Sequence, residues 1–422
     1  MLLIAGVLIV LATIYLLIRQ YENRMVLFCA AVAMFLLAGN PMGVFKSFTD
    51  AIRENTQIIE PIIAVMGFSW VMKITECDKH LILLLAKSLR RPGPFLIPGA
   101  TLVTLAVNTS ITSAAGCSAA VGAILIPLLM AKGVHPAMAG AAVFAGTFSA
   151  MLNPGFAQVV VIADVAKTTP IAVIRNHTAV VIICGVIGAL VLGGLAFCWK
   201  EYKGYTSKGA ITDDVETFHV NLVKAAVPVL PLALLLLGNT GVVPAFKQLG
   251  ISHAMIIGVF VAFLVTWKNP GALCKAFWDG AGYAFSASIG IIICALCFVG
   301  GMNAIGLIKT MMDAMISNPQ VAKFSSAFGP FFIAVVSGSG ETAGITFNRA
   351  VTAHAAQFGL LPMSMGSVAS ISGGLGRAMS PVAAGTIICA AYAGVNPMEI
   401  AKRNAPGMIV AVIVLMIYMF YL

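Results

Sequence analysis

Charge is what this chain has least of. Only 9% of its 422 residues are Asp, Glu, Lys or Arg, against roughly a quarter in soluble globular domains. By contrast 60% are hydrophobic, and the mean hydropathy is +1.00. A soluble fold is excluded, because apolar runs recur from end to end, each near the ~20 residues that cross about 30 Å of hydrocarbon. Long polar segments are missing too. The exception, Lys200 to Val220, reads KEYKGYTSKGAITDDVETFHV and divides the chain nearly in half, so no room is left for a soluble domain. A net charge of +10 does not point to nucleic acid, since Lys and Arg held on cytoplasmic loops give membrane proteins the same balance.

Signs of chemistry are equally thin. The nine cysteines lie mostly inside apolar runs without framework spacing and read as small buried hydrophobes. Cys294 and Cys297 form a C-x-x-C within IIICALCFVG, mid-helix and without a redox-fold context. The six histidines show no metal spacing, and the glycines between Ser337 and Gly344 follow no strand, which excludes a nucleotide loop. No nucleophile meets a base at membrane depth, so neither an enzyme, nor a catalytic residue, nor a metal centre is expected. The N-terminal run has no preceding basic region and no small-residue cleavage site, and is expected to be a retained helix.

Repetition is what the chain does have. Apolar runs give ten expected spans, near 2–18, 25–39, 57–76, 136–166, 173–198, 221–238, 252–267, 282–300, 362–394 and 405–421. The pattern N-P-x4-K-x-F-x-D occurs at Asn40 to Asp50 and again at Asn269 to Asp279, 229 residues on. Pro136, Pro154 and Pro170 are answered by Pro362, Pro381 and Pro397, and Pro170-IAVIRN resembles Pro397-MEIAKRN. The expected organisation is a first repeat over 1–199, a cytoplasmic linker over 200–220 and a second repeat over 221–422. Five crossings per repeat is an odd number, so the second enters the membrane inverted, as in many transporters. Alternate loops carry fourteen and seven Lys and Arg residues, which places both termini outside by the positive-inside rule.

Each repeat also holds a segment too long for a loop and too polar at its centre for a simple span. These are expected to be re-entrant hairpins, about 94–132 with the tip Asn108-Thr109-Ser110-Ile-Thr112-Ser113, and about 324–357 with the tip Ser337-Gly338-Ser339-Gly340-Glu341-Thr342. After each comes an apolar segment broken at its centre, at Asn153-Pro154-Gly155 and at Ser380-Pro381. Proline removes a backbone donor, and non-helical backbone at membrane depth survives only where protein or a water-filled cavity satisfies it. Two tips and two breaks therefore imply discontinuous helices around a shared cavity. Free amides at helix N-termini suit a carboxylate there.

Charges at that depth are functional candidates because of their cost. Arg377 is placed to clamp a carboxylate bidentately or to pair with Glu341, which is also a candidate protonation site for coupling. Lys73, Glu76, Asp164 and Arg349 fall near span ends, where snorkelling and interfacial pairing are cheap.

The tips NTSITSAAG and SGSGETAG, with the breaks LNPG and MSP, resemble the anaerobic C4-dicarboxylate carrier (DcuC) family of the ion transporter superfamily, over almost the whole chain. The resemblance implies a homodimeric carrier of succinate, fumarate or malate in a bacterial inner membrane, working by an elevator-like shift through efflux, exchange or proton-coupled symport. Sodium-coupled relatives carry Ser-Asn-Thr at both tips, whereas here the tips read Asn108-Thr109-Ser110 and Ser337-Gly338-Ser339. Protons or anion exchange are therefore expected before sodium, with no other cofactor. The expected neutral ligands are Asn108, Thr109, Ser110, Asn153, Ser337, Gly338, Ser339 and Ser380, and Arg377 is the cation. Two alternatives stay open: another small organic anion, or a sodium/proton antiporter using Glu341 and Asp164.

Overall fold

A computed structural model describes residues 2–19, 21–53, 56–89, 95–205, 219–240, 246, 249–310, 313 and 318–422. The middle of the expected linker, 206–218, lies outside the described residues, as do Pro94 and the loop charges Arg90, Arg91, Lys208 and Lys247. Among the described residues every regular element is helical.

The first half runs α1 (Leu2–Ile18), α2 (Asn23–Leu37), α3 (Gly43–Arg53), α4 (Thr56–Thr75), α5 (Cys77–Ala86), α6 (Leu96–Asn108), α7 (Ala114–Ala131), α8 (Pro136–Ala145), α9 (Ala157–Val165) and α10 (Pro170–Cys198). The second runs α11 (Leu222–Ala226), α12 (Leu230–Thr240), α13 (Ile251–Thr266), α14 (Pro270–Ala284), α15 (Gly290–Ala304), α16 (Pro319–Ser337), α17 (Gly340–Ala350), α18 (Pro362–Ala378), α19 (Ala384–Ala393) and α20 (Pro397–Tyr421). Proline opens many of these helices because its missing N–H would be unpaired in the first turn anyway. Before it stands a polar cap: His135, Thr169, Asn269, Asn318 and Asn396 each accept a hydrogen bond from a first-turn amide. The starts of α8 and α18, α9 and α19, and α10 and α20 lie 226 or 227 residues apart, and α4 and α15 end 229 apart.

Among the described residues, six segments are long and apolar enough to cross a membrane: 114–131, 136–165, 170–198, 270–304, 319–337 and 397–421. Shorter apolar helices such as α1, α2 and α13 flank them. Three boundaries differ from the sequence reading, one of them the span expected at 405–421, whose helix begins at Pro397. The span expected at 282–300 is part of one continuous helical stretch from Pro270 to Ala304, because Lys275 and Asp279 pair one turn apart at 2.9 Å and stay helical. The segment before Thr56, left outside the spans, forms the amphipathic helix α3, burying Val44 and Ala51 while Phe45, Phe48 and Ile52 remain exposed.

A small core around Phe68, Val71 and Met255 joins α4, α13 and α14, and two larger ones carry the hairpins and broken segments. One core joins α6–α10 to α16, α18, α19 and α20 around Leu125, Phe144, Phe331 and Leu375. The other joins α1–α4 to α14, α15 and α17 around Met34, Ile62 and Phe298, and takes in α9 from the first body. Here α4 and α14 cross in near-backbone contact, since a Cβ on Gly280 would lie 2.5 Å from the Met66 carbonyl. Small residues permit such approach in membranes, where hydrophobic association is weak. The outer faces stay apolar, with Phe260, Leu264 and Trp267 all exposed.

Candidate functional site

Both hairpin tips are built as helix starts. Ser113 accepts the Gly116 amide (3.2 Å) and opens α7; Ser339 accepts the Thr342 amide (3.3 Å) and opens α17. Before Ser339 the chain turns through Gly338 at φ +73°, a conformation that L side chains adopt at a cost. A Cβ there would also touch the Ala383 backbone at 3.0 Å.

The two helix N-termini share a cavity of ≈ 260 Å³. One tip lends its wall Thr112, Ser113 and Ala114, and the other lends Gly338 to Glu341. Thr147, Phe148 and Gln158 come from the first broken segment and Gly374, Arg377 and Ala383 from the second, while Tyr283 and Ser288 reach in from the α14–α15 stretch. That stretch is interrupted by a π-helical turn, Phe285–Ile289. The displaced Ser286 carbonyl accepts Arg24 Nη1 at 2.5 Å. Such turns are rare and often mark functional positions.

Several expected ligands are set back from the wall, where they hold the tips and breaks in register. Asn108 is fully buried, donates to the Ile111 carbonyl (2.9 Å) and accepts the Ala150 amide (2.9 Å). Asn153 donates to the Thr109 carbonyl (2.9 Å) and accepts the Gly155 amide (3.0 Å) across Pro154. The Thr109 hydroxyl returns to the Ala106 carbonyl, and Ser110 completes the turn through its amide to Val107. Ser337 accepts the Ser339 amide (3.2 Å). Ser380 accepts the Val382 amide (3.4 Å) across Pro381, and its carbonyl takes the Thr386 hydroxyl (2.6 Å).

Gly338, Ser339, Glu341 and Arg377 do stand on the wall. Arg377 Nη2 donates to the Thr147 carbonyl at 2.7 Å, so the second break's cation is aimed by the first break's backbone. Glu341 lies within its electrostatic reach, yet Glu341 Oε1 has no hydrogen-bond partner. The Thr112 hydroxyl is likewise buried and unpartnered, whereas more than 90% of buried polar groups in folded proteins find a partner; the fully buried Ser288 hydroxyl stands beside the Glu341 carboxyl.

Polar wall residues absent from the expected ligand set include Thr112, Ser113, Gln158 and Ser288. The first two belong to the tip motif itself. Gln158, whose Nε2 donates to the Gly340 carbonyl at 3.0 Å, is an uncharged polar residue inside the apolar run FAQVVVIA, a signal that was available. Ser288 lies in AFSASIGIII, where nothing sets it apart from Ser286. Asp164 is engaged elsewhere, with Arg349 (2.5 Å) and Lys167 (3.7 Å).

Comparison with known proteins gives the geometry its context. Residues 2–422 match the family described as C4-dicarboxylate anaerobic carrier, DcuC. A Haemophilus influenzae protein named as an uncharacterised transporter is 34% identical over 278 residues, 64% of this chain and 100% of its own length. The Escherichia coli K12 anaerobic C4-dicarboxylate transporter DcuC is 22% identical over 372 residues, 84% of this chain and 79% of its own. Among solved structures, Neisseria gonorrhoeae MtrF, described with a class of antimetabolite efflux pumps, superposes with a TM-score of 0.66 at 13% identity. It covers 90% of this chain and 83% of its own, a likeness of fold. With the family match running through both hairpins, both breaks and the long helices around them, this multi-pass helical membrane protein is a transporter belonging to the C4-dicarboxylate anaerobic carrier family.

Proposed function

We propose that the chain is a secondary active carrier of C4-dicarboxylates across a bacterial inner membrane, with both termini periplasmic. The observation that carries this reading is the cavity shared by the two hairpin tips, with two helix N-termini and Arg377 on its wall. Partial positive charge at such N-termini adds to a guanidinium in attracting carboxylates. A volume of ≈ 260 Å³ lies below the roughly 300–1,000 Å³ typical of drug-sized sites, which suits a small metabolite. Asn108, Thr109, Ser110, Asn153, Ser337 and Ser380 then serve by shaping the tips and breaks, and Gly338 and Ser339 by contact.

The two repeats are inverted copies joined by the 200–220 linker, and the common offsets of their helix starts support this. Movement follows as an elevator: the body holding α6–α10, α16 and α18–α20 slides against the one holding α1–α4, α14 and α15. Glu341 is the coupling residue, exchanging a proton or its electrostatic partner during the cycle. A homodimer, with exposed apolar faces such as that of α13 meeting lipid or the second copy, completes the reading. The antiporter alternative is disfavoured by the engagement of Asp164 with Arg349, which leaves Glu341 as the one carboxylate on the described cavity wall.

The test is uptake of labelled dicarboxylate into proteoliposomes, with and without internal fumarate, under pH and sodium gradients. Uptake driven by internal fumarate or a pH gradient and lost in Arg377→Ala supports the carrier. Ion fluxes without any organic anion flux would replace it with the antiporter.

A further inference from the structure

Asn23, at the start of α2, donates through Nδ2 to the Thr342 hydroxyl at 2.9 Å, 319 positions away. The bond crosses between the two bodies of the proposed elevator. Thr342 lies in the first turn of α17, and α17 is held to α18 by directional contacts: Asn348 donates to Ser370 Oγ (2.9 Å), and a Cβ on Gly340 would strike the Gly373 carbonyl oxygen. Toward α2 and α15 the same helix presents Ile345 and Ala350. Apolar contacts of that kind are non-directional and survive a slide, whereas a hydrogen bond is lost once its distance and angle change. Beside Thr342, the Ser288 hydroxyl of the π turn acts on the Glu341 carboxyl, and Arg24 joins the start of α2 to that turn through the Ser286 carbonyl (2.5 Å). One corner of the opposite body thus grips two consecutive residues of the second tip.

That corner has a counterpart in the other repeat. The offset of 229 residues between the two N-P-x4-K-x-F-x-D motifs carries Asn23 to Ser252, at the start of α13. Ser252 is buried, its hydroxyl has no hydrogen-bond partner, and it lines a second cavity, of ≈ 260 Å³, between α4, α9 and α13. Equivalent positions of the two repeats are therefore unequally used, as an end state of alternating access between inverted repeats requires. Resting on the elevator reading above, we propose that Asn23 is a positioning residue that latches the second tip in the end state seen here, with the cavity toward the cytoplasmic end of α2, and that Ser252 latches the first tip in the opposite end state. The point that Ser252 meets is the first turn of α7 at Gly116, since Ser113 caps the Gly116 amide as Ser339 caps that of Thr342. Each slide breaks one latch and makes the other.

The test is exchange of labelled succinate for fumarate in proteoliposomes containing the full chain, at saturating concentrations on both sides. Oxidation of the Asn23→Cys/Thr342→Cys double variant with copper phenanthroline is expected to link the two positions, as mapped by mass spectrometry, and to stop exchange until a reductant is added, while each single variant ignores the oxidant. A bond present in the end state and lost on the way out slows departure by its own worth, so Asn23→Ala is expected to exchange about two- to tenfold faster, with KM changed less. Structural damage does not produce a gain of turnover. The Ser252→Cys/Gly116→Cys pair is expected to link, and to arrest exchange, only in molecules whose second tip is free of Asn23. If the Asn23/Thr342 link does not form, if linked protein still exchanges, or if monodisperse Asn23→Ala protein exchanges no faster than wild type, the latch is overturned and the carrier stands. No link in the second pair overturns the role of Ser252. Absence of succinate and fumarate flux in the wild type overturns the carrier reading and the latch with it.

Discussion

His177 and Asn404 stand 227 positions apart and do the same work. His177 Nε2 lies 2.8 Å from the Met151 carbonyl, and Asn404 Nδ2 lies 2.9 Å from the Ala378 carbonyl, which is itself 227 positions beyond Met151. Each side chain on a long helix thus satisfies a carbonyl released where the neighbouring helix breaks. A carbonyl only accepts, so Nε2 of His177 must carry the proton, and Nδ1 then accepts from Ser367 at 3.0 Å. Both residues are almost fully buried.

Loss of either pin leaves a carbonyl buried without a partner, which costs about 1–3 kcal/mol. His177→Ala and Asn404→Ala are therefore expected to lower the thermal midpoint of the detergent-solubilised protein, with His177→Gln recovering part of the loss. An unchanged midpoint in both alanine variants would show that water or a shifted side chain replaces the pins.

For Arg377, a charge-assisted hydrogen bond is worth about 1.5–3 kcal/mol, and each 1.36 kcal/mol is tenfold. Arg377→Ala should therefore reduce dicarboxylate kcat/KM by on the order of 10–100-fold, and Arg377→Lys by less, since it keeps charge without the planar fork. Initial rates in proteoliposomes check this; equal activity in all three proteins would remove Arg377 from the substrate site.

Two glycines separate side-chain crowding from backbone crowding. A Cβ at Gly155 would lie 2.0 Å from Val65 Cγ2, whereas one at Gly340 would lie 2.4 Å from the Gly373 carbonyl oxygen. Gly155→Ala should destabilise by about 1–3 kcal/mol and be rescued by Val65→Ala. No side-chain trimming near Gly340 rescues Gly340→Ala, because the obstacle is backbone. Thermal unfolding of the single and double variants distinguishes the two cases.

At the start of α20, Arg403 is 7% exposed and paired with Glu201, itself 14% exposed, and with Glu399 at 2.9 Å. Breaking such a pair on one side costs about 3–5 kcal/mol, while replacing both partners with apolar residues is often near neutral. Arg403→Ala should thus be far less stable than Arg403→Met combined with Glu201→Leu. Equal stability of the two would place the pair at the weak, solvent-screened end of the range.

Part of this organisation is legible in the residues alone. Helix starts are marked by proline behind a polar cap, as at Pro136, Pro170, Pro270 and Pro397, because that pairing works through local backbone chemistry. Side-chain direction at the tips is not local. Asn108 ends α6 and turns toward the first break, while Thr112 and Ser113, past the bend, face the cavity. The motifs Pro170-IAVIRN and Pro397-MEIAKRN suggest Asn176 as the counterpart of Asn404. Instead His177 takes that role, and the Asn176 amide nitrogen has no partner, because one residue is 100° of helix rotation.

By itself the sequence determined that the chain lies in a membrane, where several of its helices begin, where two of them break and which two tips turn back, all consequences of apolar length, proline and small polar residues acting over a few neighbours. Only the tertiary structure decided that Ser288 and Gln158, from helices far apart in the chain, join Arg377 and Glu341 around one cavity. It also decided that Asp164 is spent on Arg349. Which polar groups share a space depends on how helices rotate and pack against one another, and no local stretch of residues encodes that rotation.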